Sequence, residues 1–229
     1  MRAFNLAEKY QIPVIILSDQ YIGDASATVM PFDPTKIKLA EPLKQYADKE
    51  EYLRYKYTDS GISPRLIPGQ TKHLVIIDSD EHDEKGWITE SAEVRTKMVD
   101  KRMKKLEGLK RELQEPEFIG SDSFETLIIG WGSTWGPINE AITLLNKGEK
   151  AKYAALVFGD FYPLPDRLLQ EKAKQAKCII NIEQNATGQL AGLIREKTGI
   201  VCSDSILKYD GRQISGEEIA DMIQKGEIK

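Results

Sequence analysis

Chemically specialised residues are scarce in this chain of 229, which holds two cysteines and two histidines. Neither Cys178 nor Cys202 belongs to a C-x-x-C pair, so no cysteine set is spaced for zinc or an iron–sulfur cluster. Each lies beside an apolar run (CIINIE and GIVCSDSILKY), and two buried free thiols in a reducing compartment is preferred to a disulfide. His73 and His82 are too few for a histidine-rich metal site. No apolar run approaches the ~18–20 residues of a spanning helix, which argues against a membrane protein. The opening MRAFNLAEKYQIPVIILSD has no uninterrupted signal-peptide core and no small-residue cleavage pattern, so the expected location is cytoplasmic. An excess of one charge is missing too. With 32 basic against 36 acidic residues, net −4, the chain has no general field for nucleic acid or anionic lipid. The signatures GxSxG and HExxH, a Walker loop, internal repeats and low-complexity tracts do not occur.

What is present suits a folded chain: 41% hydrophobic and 30% charged residues, with mean hydropathy −0.42. The length allows one large domain or two small ones. Phe4, Leu6, Ala7 and Tyr10 have loosely helical spacing, and Pro13 introduces the apolar run Val14-Ile15-Ile16-Leu17. A strand without polar alternation wants cover on both faces, yet no second strand of that kind follows nearby, so the pair reads as the tail of a domain. From about 23 to 91 the pattern is irregular, broken by Pro31, Pro34, Pro42, Pro64 and Pro68 and marked by Tyr46, Tyr52, Tyr55 and Tyr57. So long an aperiodic segment is read as an arm lying on another surface, with short strand pieces near His73-Leu74-Val75-Ile76-Ile77. The tyrosines are assigned to packing or an interface, because the basic patch that base stacking needs is absent there.

Helical spacing of Val94, Met98, Leu106, Leu109 and Leu113 predicts a long helix over 92–113. Between Lys97 and Arg111 seven basic residues face two acidic ones, a local patch read as a solvated face or a face for an acidic partner. Beyond Phe118 the order is regular. Strands at 125–129, 153–158 and 178–182 alternate with helices at 137–146, 166–174 and 189–197. A short strand at 206–208 and a helix from the Ser215-x-x-Glu218 capping box to near Lys225 complete the run. This alternation implies βαβ crossovers and a mostly parallel α/β sheet.

Three motifs invite a functional reading. Gly130-Trp131-Gly132-Ser133-Thr134-Trp135-Gly136 follows a strand and precedes a helix, as a phosphate loop does. Its spacing is GxGxxxG, two tryptophans occupy the approach, and no acidic residue closes the next strand. A tight turn with Pro137 near the first helical position is therefore preferred, and a free-standing nucleotide- or CoA-binding module is the alternative. The carboxyl ends of the strands gather Ser133, Thr134, Asp160, Tyr162, Glu183 and Asn185 on one rim, a recognition surface without a catalytic set. The acidic run 78–86 lacks the glycine and terminal glutamate of a calcium loop, and is read as a solvated turn or interface loop with His82 a distant contact candidate.

The ordered strings AFNLAEKYQIPVIILSDQY (3–21), GISPRLIPG (61–69), DEHDEKGWITE (80–90), WGSTWGPINEA (131–141), FYPLP (161–165), EQNATGQLAGLIREKTG (183–199) and ILKYDGR (206–212) resemble the α subunit of 2-oxoacid:ferredoxin oxidoreductases, particularly the 2-oxoglutarate branch. The resemblance implies a thiamine diphosphate-dependent complex that turns a 2-oxoacid into acyl-CoA, CO2 and reduced ferredoxin. It also implies a β subunit as partner, with a γ subunit or domain and a homodimer as further options. Thiamine diphosphate, magnesium, the iron–sulfur cluster and CoA are implied for the whole complex and none for this chain alone. The family's YPITP motif is absent. The expected division is therefore 1–24 as the end of a pyrimidine-binding-type domain, 25–115 as connecting arm and long helix, and 116–229 as a domain similar to the transketolase C-terminal domain. No residue is assigned a catalytic or metal-binding role. Ser133, Thr134, Tyr162, Glu183 and Asn185 are the candidates for interface or ligand contact, in a chain expected to assemble and not to catalyse by itself.

Overall fold

The structure, a computed structural model, describes residues 1–40, 50–69, 71–148 and 152–228. The chain divides into two compact units, Met1–Leu17 with Thr28–Glu112, and Ser18–Ala27 with Leu113–Lys229. Tyr46 and Pro42 lie outside the described residues.

In the first unit, helix α1 (Arg2–Tyr10) ends in a left-handed Gln11 at φ 51°, and buries Leu6 and Tyr10. Its partner is the long helix α3 (Ala92–Glu112), which buries Met98, Lys101 and Leu109. Tyr10 donates to Glu112 Oε2 at 2.7 Å, and its ring passes over Gly108, where a Cβ would come within 3.2 Å of it. The irregular segment between them is held by local bonds. Asp83 Oδ1 accepts from the N–H groups of Lys85, Gly86 and Trp87, closing a turn whose ends meet at the His82–Ile88 bridge.

Two expectations fail in this unit. Val14–Leu17 is not a strand, and Ile15 and Ile16 are 81% and 77% exposed. An apolar run has strand propensity, but a strand exists only when a neighbour supplies the ladder bonds. Neither does His73–Ile77 form strand, for the same reason.

In the second unit, a short helix α2 (Gln20–Asp24), capped by the Asp19 side chain, precedes the sheet region. The sheet then builds from β1 (Glu117–Gly120), β2 (Thr126–Trp131), β3 (Tyr153–Phe158), β4 (Cys178–Glu183) and β5 (Asp204–Leu207). Helices α4 (Trp135–Leu145), α5 (Arg167–Ala173), α6 (Gln189–Thr198) and α7 (Gly216–Lys225) complete it. The strand order is β1-β3-β2-β4-β5, parallel throughout except for β1, which pairs antiparallel with β3. The mostly parallel α/β sheet is as expected, and β1 is the strand the sequence reading lacks.

Alternate residues along each strand face opposite layers. Leu127, Ile129, Leu156, Phe158 and Ile179 pack with Leu169 of α5 and Leu190 and Ile194 of α6. Ile128, Ala155, Val157, Ile180 and Ile182 pack with Ile138 of α4 and Ile219 of α7. With both faces covered, the strands carry the continuous apolar runs that betray them in the sequence. Gly130 exists for this packing: a Cβ there would fall 2.3 Å from Ile138 Cδ1. Both cysteines are free and part-exposed, not buried, and they join opposite layers of the core. No helix among the described residues is long and apolar enough to cross a membrane.

Candidate functional site

In a parallel α/β sheet the natural binding crevice lies at the carboxyl ends of two adjacent strands whose connections leave in opposite directions. Here those strands are β2, whose chain continues to β3, and β4, whose chain continues to β5. The crevice is closed from within. Trp131 Nε1, at the end of β2, donates to Glu183 Oε2, at the end of β4, at 3.2 Å. Glu183 is fully buried and also accepts from Asn181 Nδ2, Asn185 Nδ2 and the backbone N–H groups of Leu190 and Ala191. The last two are the opening N–H groups of α6, so an internal carboxylate takes the place an anionic ligand would take at that helix end.

The five candidates on this rim separate by orientation. Thr134 is 3% exposed, and its Oγ1 accepts from Trp131 N and donates to Trp131 O, bracing the turn after β2. Asn185, besides bonding Glu183, accepts from the N–H groups of Thr187 and Gly188. Ser133 donates to Asp19, the residue whose other oxygen caps α2. Tyr162 is 61% exposed, with Lys197 Nζ 5.9 Å from its ring centroid. Thus Thr134, Glu183 and Asn185 organise the rim, while Tyr162 is presented outward. Trp131 and Asn181 belong to the same network and escape the sequence reading. The signal for Asn181 is its position two residues before Glu183, which puts both side chains on one face of β4.

The first glycine of the glycine-rich turn serves packing, while Gly132 and Gly136 have open space beside them. Gly130 is filled by Ile138, and Thr134 occupies the space beside it. Helix α4 starts at Trp135, two residues ahead of the expected start, because the turn Gly132–Thr134 is already a 3-10 helix running into it. Pro137 is its third residue and still lies where no intrahelical N–H is required. A recess of about 270 Å³ opens beside β3, lined by residues that include Gln114, Glu117, Gly132, Trp135 and Phe158, and by none of the five candidates. Burial pushes the Cys202 thiol up to about 11 and raises that of Cys178, so neither is an activated nucleophile. In the acidic loop, His82 is buried against the Tyr55 ring at 3.6 Å and its Nδ1 lies 3.2 Å from Asp83 O, a packed residue and not a ligand in waiting.

Known proteins resemble the chain along nearly its whole length. A 2-oxoacid:ferredoxin oxidoreductase α subunit of Aeropyrum pernix is 32% identical over 98% of this chain and 35% of its own length. The chain is similar to 2-oxoacid:ferredoxin oxidoreductase α subunits. Residues 1–101 match the family model described as "Pyruvate flavodoxin/ferredoxin oxidoreductase, thiamine diP-bdg". The 2-oxoglutarate oxidoreductase subunit KorA of Mycobacterium tuberculosis is 29% identical over 98% of the chain and 34% of its own length. A structure of 2-oxoglutarate:ferredoxin oxidoreductase from Magnetococcus marinus with 2-oxoglutarate, coenzyme A and succinyl-CoA bound superposes with a TM-score of 0.88 at 29% identity, covering 96% of this chain and 38% of that one. The chain therefore spans about a third of the length of these two curated relatives.

Proposed function

We propose that this chain is part of the α subunit of a thiamine diphosphate-dependent 2-oxoacid:ferredoxin oxidoreductase of the 2-oxoglutarate branch. The complex would make acyl-CoA, CO2 and reduced ferredoxin in the cytoplasm. The observation that carries this reading is the agreement of fold over 96% of the chain with the Magnetococcus marinus enzyme. Within such a complex the role of this chain is assembly. Residues 1–24 correspond to the end of a pyrimidine-binding-type domain, 25–115 to a connecting arm and helix, and 116–229 to a domain similar to the transketolase C-terminal domain. The partner is a β subunit, and of the five rim candidates Tyr162, the one presented outward, is best suited to contact it.

The chain's own residues do not fit a magnesium–thiamine diphosphate group. Among the described residues no three His, Cys, Asp or Glu side chains gather as metal ligands. The anion position at the start of α6 is filled by Glu183. On this reading magnesium, thiamine diphosphate and the iron–sulfur cluster are held by the remainder of the complex. The test is reduction of a dye with 2-oxoglutarate and CoA by the purified chain alone. No turnover supports the assembly role, and turnover by the chain alone refutes it.

A further inference from the structure

The seven basic residues between Lys97 and Arg111 on α3 are not a uniform solvated face. Lys97 pairs with Glu93 on the preceding turn, and Arg102 donates to Glu81 through both terminal guanidinium nitrogens. Lys101 and Lys105 are different. Lys101 Nζ donates to the backbone oxygen of Tyr55 at 2.7 Å, and Lys105 Nζ donates to the backbone oxygen of Gln11 at 3.1 Å. Arg54 joins them, with its guanidinium 3.1 Å from Gln11 Oε1 and 4.9 Å from the Tyr55 ring centroid. Gln11 thus bridges Arg54 to Lys105, and Tyr55 bridges Arg54 to Lys101.

Among the described residues none of these three cations forms an ion pair; their hydrogen-bond acceptors are the neutral oxygens of Gln11 and Tyr55. Of the nearby carboxylates, Glu81 is committed to Arg95 and Arg102, and Glu84 accepts from Tyr57 N. Burying like charges together without a counter-charge is costly, and their mutual repulsion adds to the desolvation. The Lys101 ammonium registers this: burial first, then Lys105, Arg54 and Arg102, hold it down to about 8, with Glu84 opposing. Lys105 is lowered by burial and by Arg54 and Arg102. Arg54 and Lys105 remain part-exposed while Lys101 is buried, so an anion from solvent can meet the first two directly.

We propose that Arg54, Lys101 and Lys105, gathered around Gln11 and Tyr55, form a binding site for a phosphate-type oxyanion. Three positive charges match a multiply charged phosphate or diphosphate better than a single carboxylate. The guanidinium supplies a planar donor edge and the ammonium groups supply compact charges.

The experiment titrates the full chain with inorganic phosphate and diphosphate, with chloride at matched ionic strength and acetate as controls. Binding is followed by phosphorus NMR and by the side-chain NMR signals of labelled lysine. The expected result is saturable binding of diphosphate with an upward shift of the Lys101 titration. In the folded Arg54→Gln/Lys105→Gln double variant, checked by circular dichroism, affinity should fall by about tenfold or more. Absence of saturable binding overturns the proposal. So does undiminished affinity in the folded double variant, or acetate binding as tightly as diphosphate. A double variant that fails to fold leaves the lysine signals of the unmodified chain as the deciding readout: a diphosphate-dependent shift of Lys101 supports the site, and no shift refutes it.

Discussion

Trp131 and Glu183, 52 residues apart in sequence, join the ends of β2 and β4 through an indole-to-carboxylate hydrogen bond of 3.2 Å. The bond closes the crevice in which sheets of this topology ordinarily bind ligands. Stability should therefore depend on it. Glu183→Ala strands the N–H groups of Leu190 and Ala191 and the donors of Trp131, Asn181 and Asn185 around a cavity. The expected loss is about 3–5 kcal/mol. Trp131→Phe removes one donor and keeps most of the ring, for a loss of about 1–2 kcal/mol. Urea unfolding midpoints of the two variants check this order.

Glycine substitutions should divide by backbone and space. Gly61 has φ +75°, and a Cβ there would lie 2.3 Å from the backbone oxygen of Lys101. Gly61→Ala should cost more than about 2 kcal/mol, because both the left-handed backbone and the clash oppose it. Gly192 lies inside α6 with nothing within 4 Å of its Cβ position. Gly192→Ala should stabilise by about 0.5–1 kcal/mol through helix propensity. Thermal denaturation of each variant reads both signs.

Acid should weaken the first unit through Glu81. Hydrogen bonds and charge from Arg102 and Arg95 outweigh burial and hold its carboxyl down to about 2, below the ordinary 4.5. A depressed carboxylate contributes stability that is present above its unfolded value and is lost as pH falls through the folded one. The loss should therefore run from pH 4.5 down to about 2. Glu81→Gln should flatten that limb of the stability profile, measured by urea unfolding at successive pH values.

Alkali should act the other way through Lys101. Its folded value of about 8 lies below the ordinary 10.5, so the folded chain binds fewer protons than the unfolded chain between them. The Lys101 contribution is least favourable below pH 8, grows as pH rises from 8, and is complete near 10.5. Lys101→Met should lose this rise, which stability measured from pH 7 to 10 would show.

The legibility of the chain followed from which features are local. Ser215 and Glu218 form the reciprocal capping box, and α7 begins at Gly216, where the motif places it. The strands with buried neighbours on both faces, such as Tyr153–Phe158, announce themselves as apolar runs. β1 does not, since Glu117–Gly120 is a four-residue edge strand with two exposed positions. Val14–Leu17 shows the opposite failure: its composition is that of a buried strand, but strand structure depends on a partner that composition does not encode. At the site, the residue types on the rim were readable and their directions were not. Glu183 looks outward-facing as a polar residue at a strand end, yet strand alternation and the start of α6 turn it inward. The basic patch of α3 likewise looks like a surface until Lys101 and Lys105 are seen to reach Tyr55 and Gln11.

The central claim is that the chain is an assembly part of an oxidoreductase, and the most direct measurement is co-purification. The chain is co-expressed with a β subunit and the remaining α-subunit segment of a homologous enzyme, then assayed for CoA- and 2-oxoglutarate-dependent reduction of ferredoxin. The account predicts a stable complex whose activity is lost when this chain is omitted. A chain that neither joins the complex nor affects its activity would contradict it.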